Sequence, residues 1–313
     1  MGAGIAQVFA VGGCQVRITD NDADTLKALN RKIQQSLEAM SQASFISATE
    51  AKEACNRIIP MPELPGTLHD VQLVTECIVE KLPAKQEMFA QLERFAPVHA
   101  VLASNTSSLS LSEIGRHVKD KSRLIITHYF NPAQILPTVE VVASPATSAV
   151  VVDRVCRLLV SVGKVPIVLH KEIAGFIVNR IQAAMVREAL FLLEQGITTA
   201  DELDRAVRGS MGARLAVLGP FQVMDWGGLD IWAEVIRNLF PKLSAQREVP
   251  SIVDEKVSQG HLGAKSGRGF YEWSQTAVAD SAKLLQQQLM HVASAIGSDK
   301  CLGPATLGGE CEE

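Results

Sequence analysis

Met1 to Asp20 reads MGAGIAQVFAVGGCQVRITD, and its pattern changes partway along. Ile5, Val8 and Phe9 recur at helical spacing, Gly12 and Gly13 stop the helix, and QVRITD comes next as a short strand ending in Asp20. A helix entered through small glycines, then a strand ending in an acid about 20 residues on, is the back half of a dinucleotide-binding βαβ unit. In such a unit the helix N-terminus faces a pyrophosphate; Gly2 can serve as the last glycine of the turn and Gly4 as a further close-packing position. An ordinary capped helix also accounts for this segment taken alone. Asp20 carries two readings too: it can accept hydrogen bonds from an adenosine ribose, which favours NAD over NADP, or cap the next helix.

The chain has 313 residues, of which 47% are hydrophobic and 5% aromatic, enough for two cores built mainly of Ala, Val, Leu and Ile. A formal net charge of −4 gives no electrostatic case for nucleic acid or an anionic membrane, so small molecules are the expected ligands. Cysteines stand at 14, 55, 77, 156, 301 and 311 without a C-x-x-C pair or metal-ligand spacing, so neither disulfides nor a metal site is expected and a reducing cytosol fits. No uncharged apolar run of 18 residues stands in the sequence, and neither a membrane span nor an export signal is expected.

Downstream, Leu26, Leu29, Ile33, Leu37 and Met40 mark an amphipathic helix, and ATEAKEACNRI marks a second. The pair forms a helical excursion over about 22–58, and MSQASFISATE between them holds neither Lys nor Arg. Val71 to Val79 reads as a fully buried strand with Glu80 and Lys81 at its exit, the edge that faces ligands in open parallel sheets. Lys85 lies in the first turn of the next helix, against the macrodipole, and reads either as a functional group or as a solvated surface lysine.

Ala100 to Ala103 forms another strand, and Ser104, Asn105, Thr106, Ser107 and Ser108 at its exit can orient a nicotinamide or a substrate oxygen, or form an ordinary turn. Arg123 to Thr127 delivers His128. If the strand Thr138 to Val142 folds back on it, Glu140 reaches the imidazole, fixes its tautomer and raises its basicity, as a general base requires. After a helix at 151–162 and a strand at 164–170, the helix Ala174 to Gln195 is apolar on nearly every side and is expected to be buried between domains or subunits. The remainder of the chain reads as all-α, with a capping box at Thr199 and Glu202, a Gly-rich turn KSGRGFYEW, a helix at about 279–296 and a disordered tail.

Several separated motifs then agree. MGAGIAQ, ECIVEKLPAKQEMF, ASNTSSLS, HYFNP, VEVV, AGFIVNRI, LGPFQVMDWGGLD and GAKSGRGFY stand in the order and spacing of the 3-hydroxyacyl-CoA dehydrogenase family, which residues 1–275 resemble. The resemblance implies an α/β, Rossmann-like, mostly parallel sheet domain over 1–172, its first strand missing from this chain. An all-α dimerisation and substrate domain over 173–275 and a C-terminal segment over 276–313 complete the expected layout. It implies hydride transfer between NAD and C3 of an L-3-hydroxyacyl-CoA, an activity of fatty acid metabolism, in a homodimer; the cysteine pattern adds the expectation of a cytoplasmic location. His128 would be the general base and Glu140 its orienting partner; Ser107 and Asn179 would hold the substrate oxygen. Gly2, Gly4, Asp20, Glu80, Lys85 and Asn105 would lie along NAD, with Asn179 supplied from the second domain as a cleft closes.

Two departures from the family pattern shape further expectations. The strand and first two glycines of the cofactor loop do not precede Met1; their loss would leave unpaired backbone groups costing roughly 1–3 kcal/mol each. The natural protein is therefore expected to carry about ten further residues ending in G-x-G-x, judged from usual strand lengths. MSQASFISATE, which lacks Lys and Arg, and ILPT before Glu140, resemble instead the branch of λ-crystallin, L-gulonate 3-dehydrogenase and carnitine dehydrogenase, which acts on small hydroxy acids. A non-catalytic, crystallin-like protein is the reading of another class. Hydroxyisobutyrate-type dehydrogenases place a catalytic Lys four residues before the interdomain Asn, where this chain has Gly175.

Overall fold

The computed structural model describes residues 1–296, in two compact units, Met1–Arg180 and a second starting at Ile181. The expected tail beyond 296 lies outside the described residues.

The first unit opens with α1 (Gly2–Val11) and β1 (Val16–Ile18). Asp22, not Asp20, caps α2 (Ala23–Gln42) by accepting from the Asp24 amide, which settles the capping alternative against Asp20. Leu29, Ile33, Leu37 and Met40 form the buried face of α2. Ser47 and Glu50 close a capping box on α3 (Ala48–Arg57), which packs back on α2 and α1. β2 (Ile58–Pro60), unforeseen in the sequence, runs parallel to β1 with Val16 opposite Ile58. A strand of three residues shows too little alternation to be read without its partner.

After α4 (Leu64–Thr67), five strands form the main sheet: β3 (Leu73–Glu76), β4 (Val101–Ser104), β5 (Leu124–Tyr129), β6 (Thr138–Val142) and β7 (Val165–Leu169), in that spatial order. β3, β4 and β5 are parallel, β6 is antiparallel to β5, and β7 is parallel to β6. β1 and β2 make a separate sheet. β3 stands at an edge, so it is only partly buried rather than fully buried as its apolar run suggested.

The period of two sorts the strand residues onto two faces. Leu102, Leu124, Ile126 and Val142 pack on one side against Phe89 and Leu92 of α5 (Leu82–Phe95) and Leu111 and Ile114 of α6 (Leu111–Ile114). Val101, Ala103, Ile125, Val139 and Val141 pack on the other against Ile5 and Phe9 of α1 and Val155 and Leu159 of α7 (Ala149–Ser161). The result is a three-layer α/β unit, each buried Leu or Phe contributing about 2 kcal/mol.

α8 (Val178–Glu194) starts four residues later than its apolar pattern suggests. Gly175 at φ +76° and Phe176 at φ +49° turn the chain through left-handed conformations that end any earlier helix. Within the single chain no residue of α8 is buried. The second unit continues through α9 (Ala200–Ala206), a π-helical turn at Val207–Gly212, α10 (Ala213–Leu215), α11 (Pro220–Gly227), α12 (Leu229–Leu239), α13 (Ser251–Ser258) and α14 (Gln275–Ile296). Among the described residues it has no strand, only isolated bridges joining Gly263, Arg268 and Glu272.

Candidate active site

β5 and β6 pair so that His128 lies directly opposite Glu140, and directly opposed residues of an antiparallel pair project from the same face. His128 Nδ1 stands 2.7 Å from Glu140 Oε2, with His128 6% exposed and Glu140 wholly buried. The other carboxylate oxygen of Glu140 accepts the amides of Ile177 and Val178 at 2.8 and 2.9 Å. Burial by itself would raise the Glu140 carboxyl; the hydrogen bonds from His128 and from the Val178 and Ile177 amides outweigh it and hold the group below the usual carboxylate range. The imidazole is wedged between the Phe130 ring, edge-on at 4.7 Å, and the Phe176 ring at 5.5 Å.

In the sequence Phe176 reads only as one more apolar helical residue, with no signal of a place in the site. Its left-handed backbone costs a side-chain-bearing residue about 1 kcal/mol, a strain retained because the ring is 1% exposed in the core beside His128. Asn179 is partly buried in the first turn of α8, immediately after the amides held by Glu140, and falls within the first compact unit.

A second constellation gathers at the carboxyl ends of β3 and β4. Glu80 Oε1 accepts from the Ser107 amide at 3.0 Å, from Ser108 Oγ at 3.2 Å and from Thr106 Oγ1, tying the two strand exits together. Desolvation pushes the Glu80 carboxyl up, but the bonds from Thr106 and Ser107 and the Lys85 ammonium leave it below its ordinary value. Lys85 has no exposed surface; its ammonium donates to both oxygens of Glu76 at 2.8 and 3.1 Å and lies 3.3 Å from Glu80 Oε2. Asn105 Oδ1 accepts the Tyr129 amide, joining the exits of β4 and β5. The neighbouring Cys77 thiol is pushed up to about 12 by burial and by the Glu76 charge, which leaves it protonated and poorly nucleophilic.

The start of α1 faces the same edge. A Cβ on Gly2 would stand 3.7 Å from Cys77 Cβ, and one on Gly4 would stand 2.7 Å from Gln134 Oε1, so Gly4 is a close-approach glycine against the loop after β5. α1 has no side-chain cap, so its leading amides are open to a phosphate. Asp20, exposed just past β1, spends Oδ1 on the Asp22 amide. Free helix amides with carboxylates at successive strand ends form a donor and acceptor set that fits a dinucleotide. Among the described residues no group of three His, Cys, Asp or Glu is placed to hold a metal, and no helix is long and apolar enough to cross a membrane.

A Rossmann-like α/β unit with this ligand-facing edge, followed by a helical unit, defines a dinucleotide-dependent oxidoreductase. Residues 1–173 match the 3-hydroxyacyl-CoA dehydrogenase NAD binding domain and residues 175–273 the C-terminal domain of the same family. The chain belongs to the 3-hydroxyacyl-CoA dehydrogenase family of NAD-dependent oxidoreductases, and its cofactor is NAD.

Among its relatives, 3-hydroxyadipyl-CoA dehydrogenase of Escherichia coli (strain K12) is 35% identical over 275 residues, 87% of this chain but 57% of that longer protein. The mitochondrial hydroxyacyl-coenzyme A dehydrogenase of Rattus norvegicus is 33% identical over 281 residues, 87% of this chain and 88% of that one. The crystal structure of an NAD⁺-dependent dismutase, a 5-dehydrogenase of 5-formyl-3-hydroxy-2-methylpyridine 4-carboxylic acid, superimposes with a TM-score of 0.88 at 26% identity, covering 95% of each chain.

Proposed function

We propose that the protein oxidises the 3-hydroxyl of an L-3-hydroxyacyl-CoA to the ketone, with His128 as general base. The observation that carries this reading is the 2.7 Å contact of His128 Nδ1 with Glu140. Glu140 accepts a hydrogen bond from Nδ1–H, which leaves the Nε2 lone pair to take the alcohol proton as the C–H bond at C3 breaks. The carboxylate, kept ionised by its bonds to His128 and the two α8 amides, then offsets the imidazolium charge. NAD, when bound, takes the hydride.

Ser107 and Asn179 hold the substrate oxygen, the Gly2 and Ala3 amides receive the pyrophosphate past Gly4, and Asp20 binds the ribose. Glu80 and Asn105 line the nicotinamide end. The Phe130 and Phe176 rings exclude water from one side of the imidazole. The protein acts as a homodimer through its helical unit: Ile181, Phe221 and Trp226 are 65%, 78% and 78% exposed in the single chain, more apolar surface than a monomer keeps in water. Its described cysteines, all free, suit a reducing cytosol.

A second reading, a small free hydroxy acid or aldehyde acid as substrate, is favoured by the tip between α2 and α3, where residues 40–50 carry no Lys or Arg to meet coenzyme A phosphates. The pyridine carboxylic acid dehydrogenase that superimposes on the chain lends it weight. An NADH-oxidation screen of acetoacetyl-CoA against 3-dehydrogulonate and 3-dehydrocarnitine decides between them. Turnover of acetoacetyl-CoA at least tenfold above the free acids is expected, and the reverse order would replace the first reading by the second.

A further inference from the structure

Glu76 has no part in the proposed reaction, yet both oxygens of its carboxylate are fully engaged. It is 4% exposed at the end of β3. Its Oε1 takes the Ile78 amide at 2.7 Å and the Lys85 ammonium at 2.8 Å; its Oε2 takes Ser104 Oγ at 2.6 Å and the same ammonium at 3.1 Å. Among the described residues the only other anion paired with Lys85 is Glu80, whose Oε2 lies 3.3 Å away and whose Oε1 carries the Thr106, Ser107 and Ser108 turn. The three charged groups thus form a line from core to rim, and only the outer one reaches solvent, the Glu80 side chain being 37% exposed.

We propose that Glu76 is a positioning residue which, through Lys85, fixes the Glu80 carboxylate and with it the Ser107 turn. This rests on the assignment of Glu80 and Ser107 to the cofactor and substrate.

The physical argument is one of competing partners. An ammonium has three protons; Glu76 absorbs two, leaving one for Glu80 and no net pull that would drag Glu80 off the Ser107 amide. Buried pairs of this kind seldom stabilise a fold more than apolar residues of the same size, so retaining one between β3 and α5 points to geometry rather than stability. Lys85 has no exposed surface, and its ammonium is held between the two carboxylates. In Glu76→Gln one oxygen remains to accept and an amide donor faces the Lys85, Ile78 and Ser104 donors. Lys85 then turns to Glu80, and the Ser107 amide loses its acceptor.

The test is a fluorescence titration of the full-length protein with NADH, alongside amide hydrogen exchange at Ser107 to Leu109. Glu76→Gln is expected to weaken NADH about tenfold and to speed exchange at Ser107, with the effect of Glu80→Gln on NADH affinity largely absent in its background. A second variant guards against misfolding. Glu76→Leu combined with Lys85→Met replaces the ion pair by apolar bulk and removes the ammonium that holds Glu80 Oε2; it is expected to keep or raise the melting temperature while binding NADH about tenfold more weakly, because Glu80 is then free to leave the Ser107 turn. Wild-type NADH affinity in that double variant, or simple additivity of Glu76→Gln and Glu80→Gln, would overturn the proposal. Failure of the cofactor assignment is a different outcome, no NADH binding by the unaltered protein.

Discussion

Glu140 Oε2 lies 2.7 Å from His128 Nδ1 while Glu140 Oε1 receives the Ile177 and Val178 amides, so one carboxylate joins the imidazole to the segment that opens α8. The ring is aimed and its chain neighbour Asn179 is placed by the same group. Orientation of the proposed base and placement of a candidate substrate contact are therefore coupled through a single buried side chain.

Replacing His128 by Gln removes the proposed base and leaves the residues at the ends of β3 and β4 untouched. Turnover is expected to fall by about 10² to 10⁴ while NADH affinity stays within about threefold of wild type. Single-turnover rates and NADH titration check the two halves separately. An unchanged rate would remove His128 from the mechanism.

Glu140→Gln tests the coupling. Its amide NH2 cannot both leave Nδ1 protonated and spare the α8 amides: a donor opposite Nδ1 drives the ring proton to Nε2, and a donor opposite Ile177 and Val178 meets two further donors. Turnover should drop by about 10² or more, and stability by about 3 kcal/mol, the order expected when hydrogen bonds to a buried charge are lost. The pH dependence has a definite sign. The folded-state pKa of Glu140 lies below its unfolded value, so its contribution is fully present above about pH 4.5 and is lost as the pH falls through the folded value. Denaturant midpoints of wild type and variant should converge on acidification; parallel curves would show that the carboxylate does not supply this term.

Lys164 provides a term with the same slope in a more alkaline window. It is 7% exposed and donates to the Ala133 and Leu136 carbonyls at 2.8 Å each, pinning the loop that abuts Gly4. Burial lowers its pKa to about 8. A neutral amine keeps two protons, enough for both carbonyls, so deprotonation relieves the desolvation cost without giving up either bond. Between about pH 8 and 10.5 the unfolded chain binds the extra proton and the folded one does not, so stability rises with pH across that window. Lys164→Met should abolish the rise, as measured by urea unfolding at about pH 7.5 and 9.5. A variant with the same pH slope as wild type would refute this role.

How much of the site was legible in the sequence depended on range. The strands carrying Ser104, His128 and Glu140 are apolar runs with sharp polar ends, and a fold-back of β6 on β5 is the simplest way to pair them, so the facing of His128 and Glu140 could be anticipated. Burial of Lys85 could not: an amphipathic pattern counts a lysine as solvated, and the carboxylate that draws it inside lies nine residues earlier on another element. Phe176 resisted for a similar reason. Its left-handed backbone is imposed by the non-local capture of the next two amides by Glu140, which local propensity does not contain. β2 needed its partner β1 before it had any signal at all.

Gly12 supplies a last prediction, on the fold rather than the chemistry. Its backbone is ordinary, at φ −69°, so conformational freedom is not why glycine stands there. A Cβ at that position would sit 2.4 Å from Val162 Cγ1, 2.6 Å from Val162 Cβ and 2.9 Å from Val162 Cα. Side-chain rotation cannot clear the last two contacts, so the ends of α1 and α7 must separate. Because α1 and α7 cover the same face of the sheet through Phe9 and Leu159, separation loosens packing across that layer. Gly12→Ala is expected to cost about 1–3 kcal/mol, the usual range for overpacking. Val162→Gly should recover part of that loss in the double variant although it is destabilising alone, a sign reversal that thermal or urea denaturation detects directly. If instead the two losses simply add, the close approach of α1 and α7 at this point is not what the glycine serves.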